Sequence, residues 1–255
     1  MLDGVTTNPS LIKKSVEEAK NKGKNTDLKE YINKILLLAK GFPVSLEVIG
    51  ISSEDMVKEG IKLYDLFNSI AGNVYVKIPV NPSLENGSGN NFNGIKAIKE
   101  LSQMNIPVNC TLIFTPEQAL IAAKNGAKFV SPFVGRIDDY IRSKNNIDYK
   151  KSDYFPAEGI RLDGKLLEDN GIVSGVDLIR QTAEIFKNYN IKDTLILAAS
   201  LRNARQVREV ALAGADIATI PFNVIEELLE HFKTREGVKA FMEDIIQEYR
   251  DLFLS

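Results

Sequence analysis

One lysine and one glutamate stand where a buried strand should carry neither. The run Asn73-Val-Tyr-Val-Lys77-Ile-Pro-Val is apolar apart from its first residue and Lys77, and Val44-Ser-Leu-Glu47-Val-Ile holds one charge, Glu47. Continuous apolar runs of this kind are the pattern of parallel strands covered on both faces. Such a strand has no solvated side, and an unpaired buried charge costs several kcal/mol. Two readings follow. One is a structural Lys77–Glu47 ion pair across a barrel. The other is a working amine: carbonyl carbons are attacked by neutral amines, and desolvation disfavours the ammonium form.

Other polar groups fall at or just beyond strand ends. They are Thr6, Thr7 and Asn8 after the first apolar run, Asn109 and Thr111 in the fourth, and Ser131 in the fifth. Arg136 follows the fifth run, and Ser200 and Arg202 follow the sixth. Singly, each is an ordinary cap or loop residue. Two arginines and two serines gathered at one mouth make a phosphate clamp, because guanidinium groups grip phosphate in bidentate fashion. With Lys77 they point to a phosphorylated substrate bearing a carbonyl. His231 and Cys110 are the only histidine and cysteine. His231 reads as a surface residue near a helix end, and Cys110 as a small core residue. A zinc site or a Ser-His-Asp triad is thereby excluded, and no phosphate-cradling GxxxxGK[ST] occurs. We expect neither metal nor cofactor.

Positioning these groups requires alternating strands and helices. Strands are expected at Gly4–Thr7, Pro43–Ile49, Asn73–Val80, Pro107–Phe114, Ala127–Val134, Asp193–Ala199 and Asp216–Ile220. Helices are expected at about 27–40, 53–71, 93–104, 116–125, 177–189, 203–213, 222–231 and 234–252. Thr115-Pro116-Glu117-Gln118 and Asn203 with Gln206 read as helix starts, and Gly126 and Gly214 as helix ends. This alternation means a doubly wound sheet or a (β/α)8 barrel. No Gly-rich dinucleotide turn follows a strand, and GSGNNFNG at 87–94 has the wrong spacing. The barrel is favoured. It forms one domain, 1–255, with insertions at about 81–93 and 141–175. Both insertions follow strands, so both should sit at the C-terminal face, where barrel active sites form.

The net charge of −2, with acids and bases mixed along the chain, gives no stripe for nucleic acid. No apolar run is long enough to span a bilayer, and MLDGVTTNPS lacks the features of a signal peptide. A soluble cytoplasmic protein is expected, with neither nucleic acid nor membrane as a partner. The C-terminal helix keeps Phe241, Ile245 and Phe253 to bury, which points to a homo-oligomer.

The motifs resemble those of the transaldolases and their relatives, the fructose-6-phosphate aldolases. The matching stretches are Asp3-GVTTNPSLI, SLEV at 45–48, VYVKIPV at 74–80, NCTLIF at 109–114, SPFVGRIDD at 131–139 and AASLRN at 198–203. The resemblance implies that Lys77 forms an imine with the ketose C2 and that Glu47 and Thr111 orient a proton-carrying water. It implies that Asn8 and Asn109 contact sugar hydroxyls and that Phe133 is an aromatic wall. It also implies that Ser131, Arg136, Ser200 and Arg202 lie near the phosphate. The implied activity is transfer of a three-carbon dihydroxyacetone unit between sugar phosphates, sedoheptulose 7-phosphate and fructose 6-phosphate, in the pentose phosphate pathway. The aldolase branch usually has Gln at position 47 and Tyr at position 133, so Glu47 and Phe133 favour transaldolase. An aldolase-like enzyme and an inactive barrel that only binds sugar phosphate are the alternatives. In the family a strand with an Asp-Thr motif precedes GVTTNPS, and here Met1-Leu2-Asp3 stands directly before it. We therefore expect a barrel without its first strand and that strand's Asp, with either a natural protein that begins upstream or another segment that fills the gap. Direct pairing of Gly4–Thr7 with Asp216–Ile220 would refute this.

Overall fold

Each of the seven apolar runs forms a strand, and all seven join one sheet. The structure, a computed structural model, describes residues 2–21, 23, 27–84 and 90–254. In chain order the elements are β1 (Val5–Thr6), α1 (Pro9–Asn21), α2 (Leu28–Leu38), β2 (Val44–Glu47), α3 (Ser53–Ala71) and β3 (Val74–Pro79). Then come α4 (Asn93–Gln103), β4 (Val108–Ile113), α5 (Pro116–Lys124), β5 (Phe129–Pro132) and α6 (Val134–Lys144). β6 (Arg161–Leu162), β7 (Lys165–Leu166), α7 (Gly175–Asn188), β8 (Leu195–Ala198) and α8 (Ala204–Leu212) follow. β9 (Ile217–Ala218), α9 (Phe222–Glu227), α10 (Phe232–Glu243) and α11 (Gln247–Asp251) complete the series.

The sheet order is β1-β2-β3-β4-β5-β8-β9, with every neighbouring pair parallel. β6 and β7 form a separate antiparallel ribbon. The long sheet curls, so that Thr6 Oγ1 in β1 lies 2.7 Å from Thr219 Oγ1, one residue past β9. No backbone ladder joins those two end strands. The fold is thus an α/β barrel of the (β/α)8 type lacking its first strand, as expected. Side chains close the seam where an eighth strand would close it by main-chain bonds.

Strand side chains alternate between two cores, as a period of two requires. Val76, Ile78, Val108, Cys110, Val130, Ile196 and Ala198 pack outward against helical residues such as Met56, Ile98, Leu101 and Ile179. Burying one such aliphatic side chain contributes about 1.5–3 kcal/mol, so this layer holds the helices to the sheet. A second cluster of Phe129, Phe133, Leu197 and Ala199 packs with Tyr75, Leu112, Phe114 and Ile217. There the Tyr75 and Phe129 rings stack at 4.7 Å. The expected punctuation is present. Thr115 and Gln118 form a capping box, and Asn203 accepts from Gln206 N–H. Gly126 and Gly214 take φ of 95° and 101°, the left-handed region that favours glycine after a helix.

Four expectations need correction. Helix α1 was not expected. Asn8 and Pro9 are a cap and a first-turn proline, but no described residue of the helix is buried; Ile12, Val16 and Ala19 share a half-buried face, and the outer face carries the i,i+4 pairs Lys13–Glu17 and Lys14–Glu18. Helix α6 was also missed, although Val134, Ile137 and Ile141 recur at helical spacing; Asp138, Asp139 and Arg142 among them mask the apolar stripe. The 141–175 insertion therefore begins in the last turn of α6 and follows a helix rather than a strand. It is not decoration, since Phe155, Leu167 and Ile172 are buried against Ile137, Ile141 and Leu178. Finally, the expected single helix at 234–252 breaks between α10 and α11. Two β-branched residues, Ile245 and Ile246, sit at the break, and Ile246 is extended. Of the 81–93 insertion, residues 85–89 lie outside the described residues, and so does most of the glycine-containing part of GSGNNFNG.

Candidate active site

The register of three adjacent strands sets the central geometry. Glu47 on β2 is opposite Lys77 on β3, and Lys77 is opposite Asn109 on β4. Residues at one level of a parallel sheet share a face, so the three polar side chains converge. Lys77 is 5% exposed. Its Nζ lies 3.1 Å from Glu47 Oε2 and donates to the Thr7 carbonyl at 3.2 Å. The ion pair foreseen from the sequence exists, yet Glu47 Oε2 is buried without an aligned hydrogen bond among the described residues. Asn73, the other polar residue of that strand run, has a structural task. Its Nδ2 donates to the carbonyls of Leu36, Ala39 and Phe42, closing the end of α2.

Beside the lysine runs a buried polar chain. Ser131 Oγ donates to Asn109 Oδ1 at 2.7 Å, and Asn109 Nδ2 donates to Ser45 Oγ at 3.0 Å. Ser45, Asn109 and Ser131 are each almost fully buried. These two bonds fix the amide orientation of Asn109 from both ends. Ser45 was missed in the sequence, although it stands two residues before Glu47 and so on the same strand face. Thr111 is also fully buried, and its Oγ1 has no hydrogen-bond partner among the described residues. Just beyond it β4 slips register against β5, and Leu112 takes φ of 58°. This bulge reverses the alternation, so Leu112 and Phe114 join the cluster around Phe133.

The arginines are held differently. Phe133 pairs with Ala199 as an isolated bridge and precedes α6, whose first N–H groups donate to the carbonyls of Ala199 and Ser200. Ser200 has φ of 63°, an uncommon conformation for serine, maintained by its bond from Gly135. A Cβ at Gly135 would lie 2.3 Å from the Ser200 carbonyl oxygen and 2.4 Å from Arg202 Nε, so only glycine lets these segments meet. Arg136 is exposed, with its guanidinium over the Phe133 ring at 5.0 Å. Arg202 is half-buried and reaches Asp139 at 2.9 Å, and its Nε is buried without a hydrogen-bond partner among the described residues. Asn8 Oδ1 accepts from Leu11 N–H, capping α1.

The structure thus brings Lys77, Glu47, Thr111, Asn109 and Ser131 into one buried group on β2–β5, and gathers Phe133, Arg136, Ser200 and Arg202 where α6 meets the end of β8. The family's sequence profile, described as transaldolase/fructose-6-phosphate aldolase, matches residues 1–253. The chain belongs to this family. A probable transaldolase of Thermoplasma volcanium is 40% identical over 244 residues, covering 96% of this chain and 86% of that protein. Another probable transaldolase, of Thermoplasma acidophilum, is 41% identical with the same coverage. One of Aquifex aeolicus is 39% identical, over 96% of this chain and 87% of its own length. Two residues set aside in the sequence stay aside in this member of the family. Burial pushes the Cys110 thiol above its ordinary range, and His231 is exposed and caps α10 through Nδ1. No helix among the described residues is long and apolar enough to cross a membrane.

Proposed function

We propose that the chain is a transaldolase that moves a three-carbon dihydroxyacetone unit between sugar phosphates through an imine on Lys77. The observation that carries this reading is the buried Lys77 amine 3.1 Å from Glu47, level with Asn109 inside the barrel. A purely structural pair would give no reason for the Thr111 hydroxyl and a Glu47 oxygen nearby to lack aligned hydrogen-bond partners. Those two groups are suited to holding a water that carries protons.

In this reading Lys77 Nζ attacks C2 of fructose 6-phosphate or sedoheptulose 7-phosphate, and the carbonyl oxygen leaves as water. The resulting iminium accepts the electrons of the C3–C4 bond when the C4 hydroxyl loses its proton. An aldose phosphate departs, and an enamine remains on Lys77. Among the described residues Glu47 is the one carboxylate within 4 Å of Lys77, and it receives that proton through a water. The enamine then adds to the aldehyde of a second aldose phosphate, and hydrolysis frees the new ketose and the amine. Asn8 and Asn109 bind sugar hydroxyls, and Phe133 walls the site. Ser200, Arg136 and Arg202 face the phosphate, and Ser131, expected beside them, holds Asn109 instead. No metal or cofactor takes part. The proposed setting is the pentose phosphate pathway of the cytoplasm. There the chain acts as one barrel domain within a homo-oligomer, whose contacts cover apolar residues such as Phe232, Phe241 and Phe253.

The test supplies fructose 6-phosphate and erythrose 4-phosphate and measures sedoheptulose 7-phosphate. Acceptor-dependent transfer is expected. Release of free dihydroxyacetone without acceptor would make the chain an aldolase instead, and folded protein that does neither would end this reading.

A further inference from the structure

We propose that the consecutive aspartates Asp138 and Asp139 are positioning residues for Arg202, one through its backbone and one through its guanidinium, and so determine how selectively the site takes a phosphorylated sugar. This rests on the reading of Arg202 as a phosphate partner given above. In the sequence the pair closes the stretch SPFVGRIDD at 131–139. In the fold the two side chains diverge from one turn of α6 and act on the same arginine.

Asp139 Oδ2 accepts from Arg202 Nη2 at 2.9 Å, with the two side chains only 17% and 23% exposed. An ion pair this withdrawn from water holds a guanidinium more firmly than a surface pair does. Asp138 is 3% exposed and works at one remove. Its Oδ2 accepts from Gln206 Nε2 at 2.8 Å, and Gln206 Oε1 accepts from the Arg202 backbone N–H at 2.9 Å. Its Oδ1 accepts from Gly175 N–H at 2.7 Å, so the relay is anchored on α7 as well. Gln206 is also buried and has no slack.

The consequence is a fork fixed at both ends while one donor stays unspent. Arg202 Nε is buried without a hydrogen-bond partner among the described residues, against Gly135, the residue before Arg136. Asp139 uses one guanidinium nitrogen and leaves the rest of the fork for an incoming anion. Because α6 carries Arg136, Asp138 and Asp139 together, that helix fixes the spacing between the two arginines. A substrate without phosphate makes no demand on this spacing.

The experiment compares KM and kcat for fructose 6-phosphate and for fructose in the unaltered chain, D139A, D139N, R202A and the D139A/R202A double variant, each checked for folding by circular dichroism. We expect D139A to raise KM for fructose 6-phosphate roughly tenfold, with a much smaller change in KM for fructose. D139N, which keeps an acceptor oxygen, should recover part of the loss. In the R202A background, D139A should add little. Equal effects on both sugars, or full additivity with R202A, would overturn the role of Asp139 while leaving the transaldolase reading intact. No turnover by the unaltered chain would overturn both.

Discussion

The lysine half and the arginine half of the candidate site are built from different parts of the fold. Lys77, Glu47, Asn109, Thr111 and Ser131 lie within β2–β5, fixed by ladder register, with Glu47 half-buried and the other four buried. Arg136 and Arg202 stand where β5 and β8 give way to helices, one exposed and one half-buried. In the proposed reaction, the difference follows from what each half would meet. Imine chemistry needs an amine sheltered from water, and a strand between two cores supplies that shelter. A phosphate would arrive hydrated and charged, which suits partners that reach solvent; Phe133 and Asp139 hold the two arginines.

The sharpest way to break this contrast is Lys77→Ala. Transfer activity should fall at least about a thousandfold, measured by coupled assay on protein shown to be folded. Activity surviving within tenfold would reduce the buried pair to a structural one. Arg202→Ala comes next. It should raise KM for fructose 6-phosphate by roughly 10–100-fold with a smaller change in kcat; a pure kcat effect would move Arg202 out of the phosphate half. Asn109→Ala leaves both Ser45 and Ser131 without their buried partner and should cost about 1–3 kcal/mol in urea unfolding. A loss near zero would show that the polar chain does not support the lysine half.

The smallest effect concerns the arginine half and pH. Desolvation holds the Asp138 carboxyl at about 7, against 3.8 when unperturbed. The folded form therefore binds this proton more tightly than the unfolded form. The stability it contributes is full below pH 4 and is lost as pH rises to about 7, by a few kcal/mol at most. The hydrogen bond it accepts from Gly175 acts the other way and is already counted in that value. Asp138→Asn should flatten this slope between pH 4.5 and 7.5 in urea melts. An unchanged slope would mean that the two accepted bonds keep Asp138 ionised throughout.

The two halves also differed in how much the sequence disclosed. All seven strands were legible, because run-on Val and Ile segments are an unmistakable signal for buried parallel strands. Lys77 and Glu47 were legible as exceptions within that signal. Ser45 was not, since a lone serine in a strand carries no charge to mark it; only its i,i+2 spacing from Glu47 could have. The arginine half was read as a collection of residues without its frame. Helix α6 hides its stripe of Val134, Ile137 and Ile141 among charges, and the divergence of Asp138 from Asp139 depends on where α7 and α8 pack. The seam between β1 and β9 was expected as a gap in the ladder. The approach of Thr6 to Thr219 across it depends on barrel curvature, which no local pattern encodes.

The central claim is covalent, and trapping tests it most directly. The protein is incubated with fructose 6-phosphate, reduced with borohydride, digested and mapped by mass spectrometry. The account predicts a three-carbon dihydroxyacetone adduct on the peptide containing Lys77, absent from Lys77→Ala. Folded protein that gives no adduct, or an adduct on another lysine, would contradict it.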